Sequence, residues 1–234
     1  MVARRLAALW PDADGLDVLG IGYPMPYLER FRAGARRAAA MAPAAQGAEC
    51  WPSDGRGMIV LTDEARLPFI DSVFDRVLVV HALEEAENAQ VMLRELWRVM
   101  SPEGRLVVIA ANRLGLWARA DATPFGHGRP YNRSQLGSLL SDAMFEPLAT
   151  ARALYLPPIG WAAKLAMPWE RAGETLWPAF GGLLMMEAVK RFYAHTSPRG
   201  RKIVHARAKS AQAQCSVLDR SGALPAGRLR AKSR

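Results

Sequence analysis

Few residues in this 234-residue chain are placed to do chemistry. Gly20-Ile21-Gly22-Tyr23-Pro24 follows the apolar run Leu16-Asp17-Val18-Leu19. Glycines at the end of a strand let the main chain approach a ligand closely. Ligands of open α/β sheets bind at that end of the strands. Met25 stands where a third glycine would complete a dinucleotide fingerprint, and no Gly-Lys-Ser/Thr follows. NAD and ATP are therefore poor expectations. His81 follows the apolar run Asp75–Val80. An imidazole there is either a general base for a reaction that removes a proton or a strand-end cap bonded to main chain. His127 and Tyr131 fall in a stretch rich in Gly and Pro, where turn structure and helix capping compete with substrate contact. Glu84, Glu85 and Glu87 read as the start of a helix, favouring its positive end. No His/Cys/Asp cluster has metal-ligand spacing, so no metal is expected. Cys50 and Cys215 read as free thiols of a reducing compartment.

The elements that must position these residues alternate. Residues 2–10 predict a short amphipathic helix closed by Pro11. Apolar runs at 16–19, 38–42, 58–61, 75–80 and 106–110 predict strands. Continuous runs of this kind fit a parallel sheet covered on both faces. Pro26 to about Arg37 can be helical, with the proline in the first turn. Ala89, Leu93, Leu96, Val99 and Met100 recur at helical spacing within 86–100. Asn132-x-x-Gln135 predicts a capping box for a helix reaching about Ala143. The alternation implies βαβ units and a doubly wound sheet. Beyond residue 154 prolines and tryptophans break the pattern, a helix is expected over 180–195, and a last strand over 202–206.

Charge is uneven. The chain has 31 Lys/Arg and 22 Asp/Glu, a net +9. Residues 199–234 hold ten of the basic residues and one acid, Asp219, so this segment carries the whole excess. Such a segment is either a solvated, disordered tail or a contact for nucleic acid or an anionic membrane surface. No aromatic residue interleaves its basic ones, which disfavours stacking on single-stranded bases. No apolar run reaches the length of a membrane span, and the first residues are too short for a secretory signal. A cytoplasmic location is expected.

A longer pattern runs from Thr62 to Leu106. It reads Thr62-Asp63-Glu64-Ala65-Arg66-Leu67-Pro68-Phe69, then Ser72-Val73-Phe74-Asp75-Arg76-Val77, then Leu93-Arg-Glu95-Leu-Trp-Arg98-Val99-Met100-Ser-Pro102-Glu-Gly104-Arg-Leu106. This resembles the class I S-adenosylmethionine-dependent methyltransferases, and within them the small-molecule branch of ubiquinone and menaquinone C-methyltransferases. That branch shows a GDA-x-x-LPF segment, an S-F-D-x-V segment and a helix ending L-x-E-x-x-R-V-L-x-P-G-G-x-L, in the same order. The resemblance covers about residues 16–150. It implies a Rossmann-like α/β fold, a doubly wound, mostly parallel seven-stranded sheet with helices on both faces. It also implies S-adenosylmethionine as cofactor. Gly20, Ile21 and Gly22 would line its methionine part. Asp63 would accept from the adenine amino group, with Glu64 beside it, and Leu67 and Pro68 would wall the adenine. His81 would sit near the sulfonium and the incoming nucleophile.

The chain departs from that pattern at three places. Val18 stands where the family carries an acid before the first glycine, with Asp17 one position off. Met41 stands near the ribose-binding position at the end of the second strand, and no Asp or Glu occurs from 30 to 48. Pro24 replaces a common glycine. The expected organisation is a methyltransferase-like domain over 1–209, a lid-like helical insertion at 154–195 and a basic tail at 210–234. Trp161, Met167, Trp169, Trp177, Met185 and Met186 would give the insertion an adaptable apolar wall for a substrate, or else extra core or a membrane-facing patch. Three readings follow: methyl transfer to a small, apolar acceptor, a methyltransferase-like scaffold without catalysis, and an RNA methyltransferase guided by the tail.

Overall fold

A computed structural model describes residues 1–43, 47, 50–52, 57–115, 117, 128–155, 173 and 175–191. Helix α1 spans Val2–Leu9, strand β1 Asp17–Gly22, helix α2 Met25–Arg32 and strand β2 Arg37–Pro43. Strands β3 (Ile59–Thr62) and β4 (Phe74–Val80) follow, then helix α3 (Ala89–Val99) and strand β5 (Met100–Ala111). Helix α4 (Arg133–Asp142), strand β6 (Phe145–Ala153) and strand β7 (Leu183–Lys190) come last. The strands form one seven-stranded sheet in the order β3-β2-β1-β4-β5-β7-β6. Neighbours among β1 to β5 are parallel, and β7 runs antiparallel between β5 and β6.

Each helix begins where its sequence supplies the missing acceptors. The Asn88 side chain accepts from the Gln90 and Val91 amides at the start of α3. Asn132 and Gln135 form the reciprocal box at the start of α4. The apolar faces divide between the two sides of the sheet. Leu93, Leu96, Leu136 and Leu140 of α3 and α4 pack on one side. Leu6 of α1, Trp10 and Leu28 and Phe31 of α2 pack on the other. That double cover is why Val77 to Val80 are all buried.

Several boundaries differ from the sequence expectation. Strand β5 starts at Met100, directly at the end of α3, rather than at 106. Strand β6 replaces a stretch with no expected element. The helix expected over 180–195 is strand β7 where it is described, and all eight of its residues are buried. Leu, Met, Glu and Lys favour helices intrinsically, but pairing with β5 and β6 overrides that preference. Met185 and Met186 consequently point to opposite faces and enter the two cores. They are sheet residues, not part of a lid wall. The strand expected over 202–206 and the basic tail lie outside the described residues, as do Trp161, Met167 and Trp169.

Asp17 lies at the amino end of β1, away from the glycine turn. Arg36 grips its carboxylate with Nε and Nη2 at 3.0 and 2.8 Å. The Asp17 amide donates to Asp75 Oδ2 on β4. These bonds join β1 to β4 and to the residues entering β2.

Candidate active site

The order of the sheet turns at β1. Crossovers run from β1 outward to β2 and β3, and then back across to β4. The carboxyl ends of β1 and β4 therefore border a switch point, where open α/β sheets hold ligands. Gly22 pairs with Val80 there. The Tyr23 amide donates to Val80 O, which sets the last residue of β1 directly beside His81. Gly22 has φ 85°, and a Cβ would press into Val80 O, so this turn requires glycine. A Cβ on Gly20 would meet Pro24 and Leu28, so that glycine admits α2 against β1.

His81 has φ 55°, left-handed backbone in a residue other than glycine. Its amide donates to Ile109 O of β5. Its Nδ1 lies 2.9 Å from Glu84 Oε1. Glu84 does not begin a helix as expected, since α3 starts at Ala89. It lies in the turn after β4, 5% exposed, and Oε1 also accepts the Ala111 amide at 2.7 Å. The other oxygen, Oε2, is buried with no hydrogen-bond partner. The sequence signal for this pair is the spacing His-x-x-Glu on a turn.

The loops after β4 and β5 are tied together. Glu84 O accepts the Arg129 amide, Tyr131 Oη donates to Leu83 O, and Tyr131 N donates to Ala111 O. Burial, with the Glu84 carboxylate adding to it, raises the Tyr131 phenol above its ordinary pKa of 10.0. Tyr131 therefore remains a neutral donor, a loop tie as well as part of the wall of a cavity of about 760 Å³. Arg113, Arg129, Gln135 and Asn88 also line that cavity. His127 lies outside the described residues.

The loop after β3 carries the remaining expected residues. Asp63 is exposed, and its Oδ1 accepts the Ala65 amide in a turn. Glu64 Oε1 accepts the Glu87 amide, which links this loop to the approach of α3. Leu67 is buried and is clamped at both main-chain groups. Its amide donates to Glu95 Oε2, and Arg98 Nη2 donates to its carbonyl. Arg98 also donates to Phe69 O and Asp71, and pairs with Glu95. The Arg98 hydrogen bond holds Glu95 below its ordinary pKa of 4.5. The sequence pattern contains Glu95 and Arg98 but assigns them no role; in the structure they hold the 67–71 loop.

Ile21 and Met41 are fully buried in one core cluster with Leu19 and Val79. Their side chains are therefore core, and any contact with a ligand in the crevice would come from their main chain. Val18 is likewise fully buried core. No carboxylate stands at the carboxyl end of β2 among the described residues. Nor does any group of three His, Cys, Asp or Glu with metal-holding geometry occur among them. No helix of the described residues is long and apolar enough to cross a membrane.

Residues 16–108 match a family described as a methyltransferase domain. A demethylmenaquinone methyltransferase of Mycolicibacterium paratuberculosis is 49% identical to this domain's chain over 49 residues. That alignment spans 21% of this chain and 21% of the relative. An S-adenosylmethionine-dependent methyltransferase structure from Thermotoga maritima superposes with a TM-score of 0.57 at 16% identity, covering 81% of this chain and 87% of that one. The [4+2]-cyclase SpnF superposes at 0.55 and 19% identity, covering 81% and 80%. At these identities the structures establish the fold, which hosts more than one chemistry.

S-adenosylmethionine is the methyl donor named for the Thermotoga maritima structure, and the residues of this chain can be set against its parts. The residues present suit two of its three parts. Asp63 retains Oδ2 beyond the turn bond for an amino group, beside the clamped Leu67 loop. The glycine turn and His81 would stand at its methyl-bearing end. A ribose-holding carboxylate is the part missing among the described residues.

Proposed function

We propose that this chain transfers a methyl group from S-adenosylmethionine to a small, apolar acceptor that loses a proton. The observation that carries the reading is the placement of His81 against the Gly22 turn at the switch point between β1 and β4. The partial likeness to demethylmenaquinone methyltransferases supports an acceptor of quinol type. S-adenosylmethionine supplies a methyl group already activated on a sulfonium. The chain then has to align and to move a proton. Asp63 accepts from the adenine amino group, and Leu67 and Pro68 wall the ring. The Gly20–Gly22 main chain lies along the methionine part. His81 accepts the acceptor's proton, and the cavity along Tyr131 and Gln135 admits the acceptor.

Calorimetric titration with S-adenosylmethionine and S-adenosylhomocysteine tests this. Micromolar binding is expected, and Asp63→Ala should weaken it by roughly ten- to hundredfold, the loss of one charge-assisted hydrogen bond. Absence of heat and of thermal shift at millimolar ligand would reject it.

A second reading, a methyltransferase-like scaffold without catalysis, is favoured by the lack of a carboxylate at the end of β2 among the described residues. It predicts that neither ligand binds. The charge of residues 199–234 supports a separate proposal, an anionic partner for the tail. Salt-dependent RNA binding that disappears on removal of residues 210–234 would establish the nucleic-acid form. Binding to anionic vesicles instead would establish the membrane form.

A further inference from the structure

We propose that Glu84 is the positioning residue of the site: its buried carboxylate fixes His81 in the Nδ1–H tautomer and turns Nε2 into the nitrogen that receives the acceptor's proton. The proposal rests on the methyl-transfer reading for its purpose, but its geometry stands alone.

Three costly features coincide at this turn. His81 occupies left-handed backbone, a conformation that clusters at functional sites when the surroundings enforce it. Glu84 is an acid almost wholly removed from solvent, which is uncommon for this residue type unless it is paired. Glu84 Oε2 is buried without a partner, an arrangement native proteins rarely keep without a use. A purely structural acceptor for the Ala111 amide needs only one neutral oxygen. Here a whole carboxylate is held between the ends of β4 and β5, with its bonds concentrated on Oε1.

The tautomer follows from that bonding. Oε1 accepts the Ala111 N–H at 2.7 Å and faces His81 Nδ1 at 2.9 Å. A carboxylate oxygen is an acceptor only, so the hydrogen between Oε1 and Nδ1 belongs to the ring nitrogen. A neutral imidazole that donates from Nδ1 accepts at Nε2. The acceptor's O–H or acidic C–H bond then breaks, its proton binds Nε2, and its electron pair stays on the acceptor as the nucleophile. The imidazolium formed lies against the Glu84 carboxylate, which balances its charge. Solvent takes the proton afterwards.

The test reads the tautomer directly. The full chain, uniformly 15N-labelled, is examined without ligand by two-bond 1H–15N correlation of its imidazoles at mildly alkaline pH, with His81→Gln to assign the signal. Wild type should show the Nδ1–H pattern, whereas an unconstrained histidine side chain favours Nε2–H. Glu84→Leu should shift the balance to Nε2–H. Glu84→Gln keeps an oxygen at the Oε1 position and should retain Nδ1–H, so it reports even if the leucine variant folds poorly. An Nε2–H pattern in wild type, retention of Nδ1–H in a folded Glu84→Leu, or its loss in Glu84→Gln overturns the proposal. Once an acceptor is in hand, Glu84→Leu and His81→Gln should each lower kcat by roughly 10²–10⁴-fold. Their combination should cost no more than either alone, and KM for S-adenosylmethionine should be little changed. Failure of S-adenosylmethionine to bind wild type would reject the methyl-transfer reading and leave the tautomer result to be judged by itself.

Discussion

At the residue scale, Gly22 and Glu84 are constrained in different ways. Gly22 combines a positive φ with main chain where a side chain would go. Gly22→Ala is expected to destabilise the fold by roughly 2–4 kcal/mol, seen as a lower urea midpoint with an unchanged slope. The glycine was evident in the sequence because strand-end glycines announce themselves by type. Glu84 was not, because an acid among Glu85 and Glu87 looks like an ordinary helix start. Only the late onset of α3 at Ala89 turns it inward. Met41 is constrained differently again. Its register with Ile21 buries the side chain in the core at the end of β2.

At the element scale, the motif joining the loop after β3 to α3 acts as a clamp. Arg98 and Glu95 on α3 hold the Leu67 amide and carbonyl, and so fix the position of the loop after β3. Arg98 depresses the Glu95 pKa, and Arg36, by its hydrogen bond, does the same to Asp17. A carboxylate with a folded pKa below its ordinary value stabilises the fold above that value and loses the contribution as pH falls through the depressed one. Stability should therefore be level above about pH 4.5 and decline below it, in steps that track these two acids. Glu95→Gln should flatten the upper part of that decline in thermal unfolding measured against pH. An unchanged profile would show that the clamp is not coupled to stability.

At the scale of the whole molecule, the first and last described segments are joined across the sheet. Trp10 Nε1 donates to Glu187 Oε1 on β7, and Arg105 on β5 pairs with the same carboxylate. Trp10 is buried with Leu6, Phe31 and Met185 on the side of the sheet covered by α1 and α2. Trp10→Ala is expected to cost roughly 3–5 kcal/mol in denaturant unfolding. Trp10→Phe should cost only about 1–2 kcal/mol, because Glu187 keeps Arg105. Comparable losses in both would mean that the hydrogen bond, not the packing, holds α1 in place.

What the sequence determined by itself was the parallel half of the sheet and the glycine turn at its edge. Apolar runs buried on both faces, capped helices and a strand-end glycine turn are local signals, each readable within a few residues. The run from Thr62 to Leu106 carried enough such signals to identify the fold. Tertiary structure decided what depends on distant partners. Leu183–Lys190 becomes a strand because β5 and β6 lie on either side of it. Glu84 becomes a partner of His81 because the end of β5 brings the Ala111 amide to the same oxygen. Neither neighbour is close in sequence, and burial against them outweighs the local preference of the residues themselves.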